Sequence, residues 1–275
     1  MIHRVTSTPM QAALDFQEEC HAIKALLSDL SPSDFDQATR FKDWTIGQIV
    51  EHLHLFNIAA DEALVGETAF MAFCQKILPN MAKGHKVLQR DWFGDTPASE
   101  TYAAWKDFYP AMSDRFHAAD PEARLKWFGP DMSARSSIIA RQMEHWAHAQ
   151  AIYDVLGVDR VNTDRLKNVA HIGVTTYSWS FKVNSLEPPK PKPFVSLTAP
   201  SGAIWTWNDP QDDNRIDGPA EDFCQVVTQC RNIGDADISL QMTGETAQHW
   251  MQIAQCFAGP PETPPTVGTR KKENA

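Results

Sequence analysis

Apolar residues recur at spacings of three and four through most of the first two-thirds of the chain, then give way to shorter mixed patterns. From about Pro9 to Leu30 the repeat runs through Leu14, Ile23, Leu26, Leu27 and Leu30 and stops at Ser31-Pro32, which predicts a first amphipathic helix. Thr45 can cap a second, whose stripe is Ile46, Ile49, Val50, Leu53, Phe56 and Ala60. A third is expected from Ser99 to Ala118 through Tyr102, Trp105, Phe108, Met112 and Phe116; helical pieces between about Leu64 and Trp92 cannot be delimited from the pattern. The clearest helix runs from about Ala134 to Leu156 and ends before Gly157. Its bulky stripe is Ile138, Ile139, Trp146 and Tyr153, while Glu144 and His148 share another face with Ala140, Ala151 and Val155.

A fifth helical stretch, Leu166 to Phe181, leads into the proline-rich segment Leu186 to Pro193, which reads as an extended connector. Beyond it, Val195 to Leu197 and Ala203 to Trp207 flank Pro200-Ser201-Gly202 and predict a hairpin. Gly218 to Arg231 is amphipathic through Phe223, Val226, Val227 and Cys230; Ile238 to Met242 suggests a strand, and Glu245 to Phe257 a last helix. The fold class is therefore mainly α: a four-helix bundle, residues 1–184, followed by a small α+β domain, residues 194–259, and a disordered tail, residues 260–275.

Composition narrows the function classes. With 43% hydrophobic and 22% charged residues the 275-residue chain is globular, and a net charge of −10 without an internal basic cluster argues against nucleic-acid binding. No apolar run reaches the roughly 20 residues of a membrane span and no secretory leader is visible, so a cytoplasmic protein is expected. The five cysteines are scattered without a Cys-x-x-Cys pair and read as reduced, packed thiols. Serine-nucleophile, Walker and dinucleotide motifs do not occur. Asp209, Asp212 and Asp213 form an acidic turn that lacks the glycine and distal glutamate of an EF-hand loop and reads as a solvated loop.

The chemistry-bearing residues are histidines and a carboxylate. Glu144 and His148 stand one turn apart on one helix, and a histidine of the second helix would complete a two-His, one-carboxylate metal set with an open position. Periodicity does not choose between His52 and His54, which lie on opposite shoulders of that helix's stripe, and His145 offers a competing set of His52, His145 and His148. Arg231 could meet an acidic substrate, although an arginine at a helix C-terminus is also favoured by the helix dipole. Arg141 and His171 are weaker candidates for lining the cleft.

The segment Trp44-Thr45-Ile46-Gly47-Gln48-Ile49-Val50-Glu51-His52-Leu53, together with Arg141-Gln142-Met143-Glu144-His145-Trp146-Ala147-His148, resembles the DinB/YfiT-like metal-dependent superfamily. Within it the branch containing mycothiol-dependent maleylpyruvate isomerase is most similar, and Asp217-Gly218-Pro219-Ala220 resembles the entry to that branch's second domain. The resemblance implies His52, Glu144 and His148 as metal ligands, a divalent metal that is zinc or alternatively nickel or iron, and a low-molecular-weight thiol as co-reactant. It implies Arg231 as the catalytic cation facing the substrate. Isomerisation or S-transfer on a small electrophilic or acidic substrate follows, with no nucleic-acid or membrane partner; a homodimer is compatible with this reading. Two other classes stay open: a metal-dependent hydrolase of a small amide or ester, and a non-catalytic bundle whose metal would be closed by a fourth protein ligand.

Overall fold

The computed structural model describes residues 10–272. Pro9, the expected start of the first helix, and residues 273–275 of the tail lie outside the described residues. Packing divides the chain into two compact units, Met1–Ala149 and Gln150–Ala275. That division falls inside the long helix rather than at the proline-rich connector. Domain limits at the connector remain a proposal about which pieces fold independently.

The first unit is built on four long helices. α1 (Gln11–Leu27) buries Ala13, Phe16, Cys20, Ile23 and Leu27, a spacing of three and four, and leaves Leu14 and Leu26 on its shoulders. α2 (Ile46–Val65) begins at a capping box: the Gln48 N–H donates to Thr45 Oγ1 and the Thr45 N–H to Gln48 Oε1, each at 3.1 Å. Gly47 follows because a Cβ there would stand 2.5 Å from the Ala98 Cβ and 3.2 Å from the Phe35 carbonyl oxygen. Only glycine lets α2 start so close to the first residue of α5 (Ala98–Ala118). The undelimited region resolves into α3 (Glu67–Met81) and α4 (His85–Phe93). Their Phe73, Ile77 and Leu88 share an apolar cluster with Leu55, Phe56 and Ala59 of α2. A two-residue hairpin, β1 (Arg124–Leu125) with β2 (Met132–Ser133), delivers the chain into α6 (Ala134–Val155).

The second unit begins at Gln150, within α6. The single helix expected over Leu166 to Phe181 is two, α7 (Lys167–Thr175) and α8 (Tyr177–Val183). The hydroxyls of Thr175 and Thr176 donate to the carbonyls of His171, Ile172 and Gly173, the local competition by which threonine interrupts a helix. β3 (Phe194–Thr198) and β4 (Ile204–Trp207) form the expected hairpin. The sheet continues through β5 (Arg215–Pro219), parallel to β3, and β6 (Gln241–Thr243), antiparallel to β5, in the order β4-β3-β5-β6. Between them α9 (Ala220–Val227) packs on α7 so closely that a Cβ at Gly173 would meet Val227 at 2.7 Å and Phe223 at 2.9 Å. α10 (Glu245–Ile253) packs against α8.

The segment expected to be disordered is laid down as coil through residue 272. The reason is backbone satisfaction: Gln229 donates to the Glu262 carbonyl, Asn232 to that of Pro265, and Arg270 to that of Gln229, while the Gly268 N–H meets Asp235. All five cysteines are free and buried. Among the described residues no helix is long and apolar enough to cross a membrane.

Candidate metal centre

Two full turns separate the capping box from His52 on α2, so the Thr45 cap and the Gly47 contact fix where that side chain stands. His52 is buried, 6% exposed, and its Nε2 lies 3.5 Å from Glu144 Oε2 on α6. His148, one turn further along α6, brings its Nε2 to 3.2 Å from the same oxygen. One donor atom from each of the three lies within 4.8 Å of the others, and among the described residues this is the one such group of histidine, cysteine and acidic side chains. Two donors each about 2.0–2.1 Å from a tetrahedral zinc would stand about 3.3–3.4 Å apart. The observed 3.2 and 3.5 Å match that spacing, so the trio fits a small divalent cation.

The protonation states agree with the geometry. Burial, helped by His148, pushes the His52 imidazole down to about 3, which keeps it neutral with a lone pair to give. Burial alone would raise the Glu144 carboxyl, but hydrogen bonds from His148 and His52 reverse that and hold it well below the usual carboxylate range. Nδ1 of both histidines is buried without a hydrogen-bond partner, so ring packing must orient them. Trp44 lies edge-on to His52 at 5.4 Å and stacks on His148 at 6.0 Å; Phe41 meets His148 edge-on at 4.9 Å and Phe56 tilts against His52 at 4.8 Å.

The competing ligand His145 is elsewhere. It is fully buried, its Nε2 accepts from Trp105 Nε1 at 3.3 Å and faces the Asn57 amide at 3.3 Å, and its Nδ1 lies 2.7 Å from the Arg141 carbonyl. An indole N–H can only donate and a carbonyl can only accept, so these partners assign the proton to Nδ1. Both nitrogens are thereby used. Burial, then the Arg141 charge, hold this imidazole well below its ordinary value. Arg141 itself donates from Nε to Asn57 Oδ1 at 3.2 Å and lies over the Phe56 ring, with burial lowering the guanidinium to about 10. It is a buried residue of the bundle. His54 is also buried, packed against Phe93 and Phe108 rather than in the trio, and burial pushes it down to about 4.

Arg231 and His171 belong to the second unit. Arg231 is 4% exposed and grips Asp154 with both terminal nitrogens, at 2.8 and 2.7 Å, while its Nε reaches the exposed Asp237 at 3.4 Å. His171 Nδ1 accepts from Trp207 Nε1 at 3.3 Å on an exposed part of α7. One residue that sequence reasoning passed over stands beside the trio: His85, the first residue of α4, whose ring is edge-on to His52 with centroids 5.2 Å apart. A glycine before a helix start was its only local signal, inside the region whose helices could not be delimited.

The family model described as the mycothiol maleylpyruvate isomerase N-terminal domain matches residues 16–153. Two uncharacterized proteins of Mycobacterium tuberculosis, one from each of two strains, are 36% identical over 247 residues, 90% of this chain and 95% of theirs. Among solved structures, the crystal structure of the mycothiol-dependent maleylpyruvate isomerase aligns with 12% identity over 78% of this chain and 87% of its own, with a TM-score of 0.49. A mutant of that enzyme aligns with 13% identity over the same shares and the same TM-score.

Proposed function

The chain belongs to the mycothiol maleylpyruvate isomerase N-terminal domain family, and from that premise we propose that it is an enzyme that holds a divalent metal on His52, Glu144 and His148 and uses a low-molecular-weight thiol. The convergence of three donor atoms from two helices within 4.8 Å of one another, with Glu144 Oε2 at 3.5 and 3.2 Å from the two histidines, is the observation that carries this reading. Zinc is the first candidate, and nickel or iron suit the same donor set. An ion there, with a position left for a reactant, would supply a thiolate at neutral pH from a thiol that is otherwise mostly protonated.

The chain's own residues do the rest. Glu144 is held ionised and His52 uncharged, so each could take an ion with no net proton to release beyond a shift of the His52 proton from Nε2 to Nδ1, and Trp44, Phe41 and Phe56 keep water from the rear of the rings. The thiol sulfur adds to a conjugated double bond of a small acidic or electrophilic substrate. The resulting single bond rotates, and expulsion of the thiol restores the double bond in the other geometry; transfer without expulsion is the related S-transferase outcome. Arg231 joins this proposal through its outer edge. The Asp154 grip would stay, while the long contact to exposed Asp237 is the one that a substrate carboxylate would replace. We take the setting to be the cytoplasm and the reactants to be free small molecules.

Elemental analysis of the purified chain and of its His52→Ala and His148→Ala variants tests the reading. About one metal per chain, lost in both variants, is expected, with thiol-dependent conversion of a conjugated unsaturated diacid followed by ultraviolet absorbance. Wild type that takes up no metal on reconstitution would sink it. Ester or amide turnover without added thiol would replace it with metal-dependent hydrolysis.

A further inference from the structure

Neither histidine of the trio is oriented by a hydrogen bond at its second nitrogen: Nδ1 of His52 and Nδ1 of His148 are both buried without a partner. Metal-ligating histidines ordinarily have one there, and it sets the ring. Ring packing holds the two imidazoles, but it does not bring Glu144 on α6 to His52 on α2; that depends on how the two helices are set along and around each other. Beside the trio, polar contacts between these helices come from Arg141 and Asn57.

Arg141 lies one turn before Glu144, is 4% exposed, and reaches residues of α2 that follow His52 by one, four and five positions. Its Nε donates to Asn57 Oδ1 at 3.2 Å, a terminal nitrogen stands 3.5 Å from the Leu53 carbonyl, and the guanidinium lies 5.9 Å from the centre of the Phe56 ring, which itself packs on His52. A guanidinium can only donate, so the Asn57 amide must present its oxygen to Arg141 and its nitrogen to His145 Nε2, 3.3 Å away. Asn57 is fully buried and both ends of its amide are thereby used. The Glu144 carboxylate is the charge that most offsets burial of the guanidinium. A charge taken this deep adds little net stability, and its best-attested use is to select one register of packed elements over the neighbouring ones.

We propose that Arg141 is a positioning residue for the centre: clamped on Leu53, Phe56 and Asn57, it fixes the register of α6 on α2 and so the approach of Glu144 to His52. This rests on the metal reading above and deepens it. Asn57 sets the clamp, since without its oxygen the guanidinium keeps only one long polar contact and a ring contact on α2. A variant without the clamp has the three donors but not their convergence, and supporting contacts of this kind change metal affinity by about tenfold or more.

The test uses the full chain titrated with cobalt(II), whose visible absorption reports both occupancy and coordination geometry. Asn57→Ala removes the oxygen, and Arg141→Lys keeps the charge but loses the fork. Both should bind cobalt about tenfold more weakly than wild type, with a visible band altered in intensity. His145→Ala is the control: it removes the other contact of the Asn57 amide and loosens the bundle, yet leaves Arg141 on Asn57, so its affinity and band should match wild type. Wild-type affinity and band in either clamp variant, an equal change in His145→Ala, or failure of both clamp variants to fold by urea titration would make Arg141 and Asn57 plain supports of the bundle and overturn the inference, with the centre itself left standing. Wild type that binds no cobalt would instead bring down the metal reading, and this inference with it.

Discussion

Two histidines three residues apart on α6 meet opposite fates. His148 turns its Nε2 to the oxygen that His52 also faces and leaves its Nδ1 without a partner, held in place by stacking on Trp44. His145 spends both nitrogens on Trp105, Asn57 and the Arg141 carbonyl, with no atom left to give. Residue type and helix are the same, though His145 is fully buried and the His148 side chain is 13% exposed. The hydrogen-bond account separates them: a histidine whose two nitrogens are both satisfied inside the bundle is a strut, and one whose Nε2 meets a shared carboxylate oxygen while its Nδ1 has no partner is a candidate ligand.

The sharpest break of this comparison comes from removing each ring. His148→Ala should take metal content from about one per chain to near zero while the apo fold stays two-state by urea titration. His145→Ala should do the reverse, retaining metal but losing about 2–4 kcal/mol of stability, since it opens a cavity and orphans the Trp105 N–H. Metal loss in the second variant without a stability change would collapse the distinction. Acidity probes both sides at once. His52 and His145 are both held below their unfolded value of about 6.5, so as pH falls through that value the unfolded chain takes up protons that the folded chain refuses. Stability of the metal-free protein should therefore be greatest above about pH 6.5 and decline below it, by roughly 1.4 kcal/mol per pH unit for each proton involved; for His52 the decline runs down toward its folded value of about 3. A urea midpoint unchanged between pH 7 and pH 5 would contradict this. Smaller effects follow from the elements that place His52. Gly47→Ala, forced against Ala98, should cost about 1–3 kcal/mol, and Thr45→Ala about 1 kcal/mol, with the thermal midpoint as readout.

The bundle was readable because its helices carry long apolar repeats: α1, α2, α5 and α6 all stand where the spacing puts them. The sheet was harder. β5 has Ile216 as its one buried residue, then Gly218 and Pro219, and its place between β3 and β6 comes from a parallel pairing that no local pattern encodes. Composition marks an extended connector by its proline density but does not show that α7 packs on α9 and α8 on α10, which is why the packing division at Gln150 has no signal in the sequence. At the site, the pattern of Trp44 and His52 together with Glu144 and His148 identified the three side chains that the structure brings together. Periodicity alone left His54 and His145 open, since only the partners of each nitrogen decide. The nearness of His85 to His52 had no local signal for a related reason: it depends on the anchoring of Gln89 on Gln48, a contact across 41 positions of sequence.

The five cysteines carry a practical corollary. Burial pushes the thiols of Cys20, Cys224 and Cys230 up from their ordinary value, and Cys74 likewise, so the native chain holds few thiolates of its own near neutrality. Buried and mostly protonated thiols of this kind exchange slowly with a thiol added from solvent. For the experimenter this is a clean baseline, because a chromogenic thiol reagent added to the folded protein counts only the thiol that was supplied.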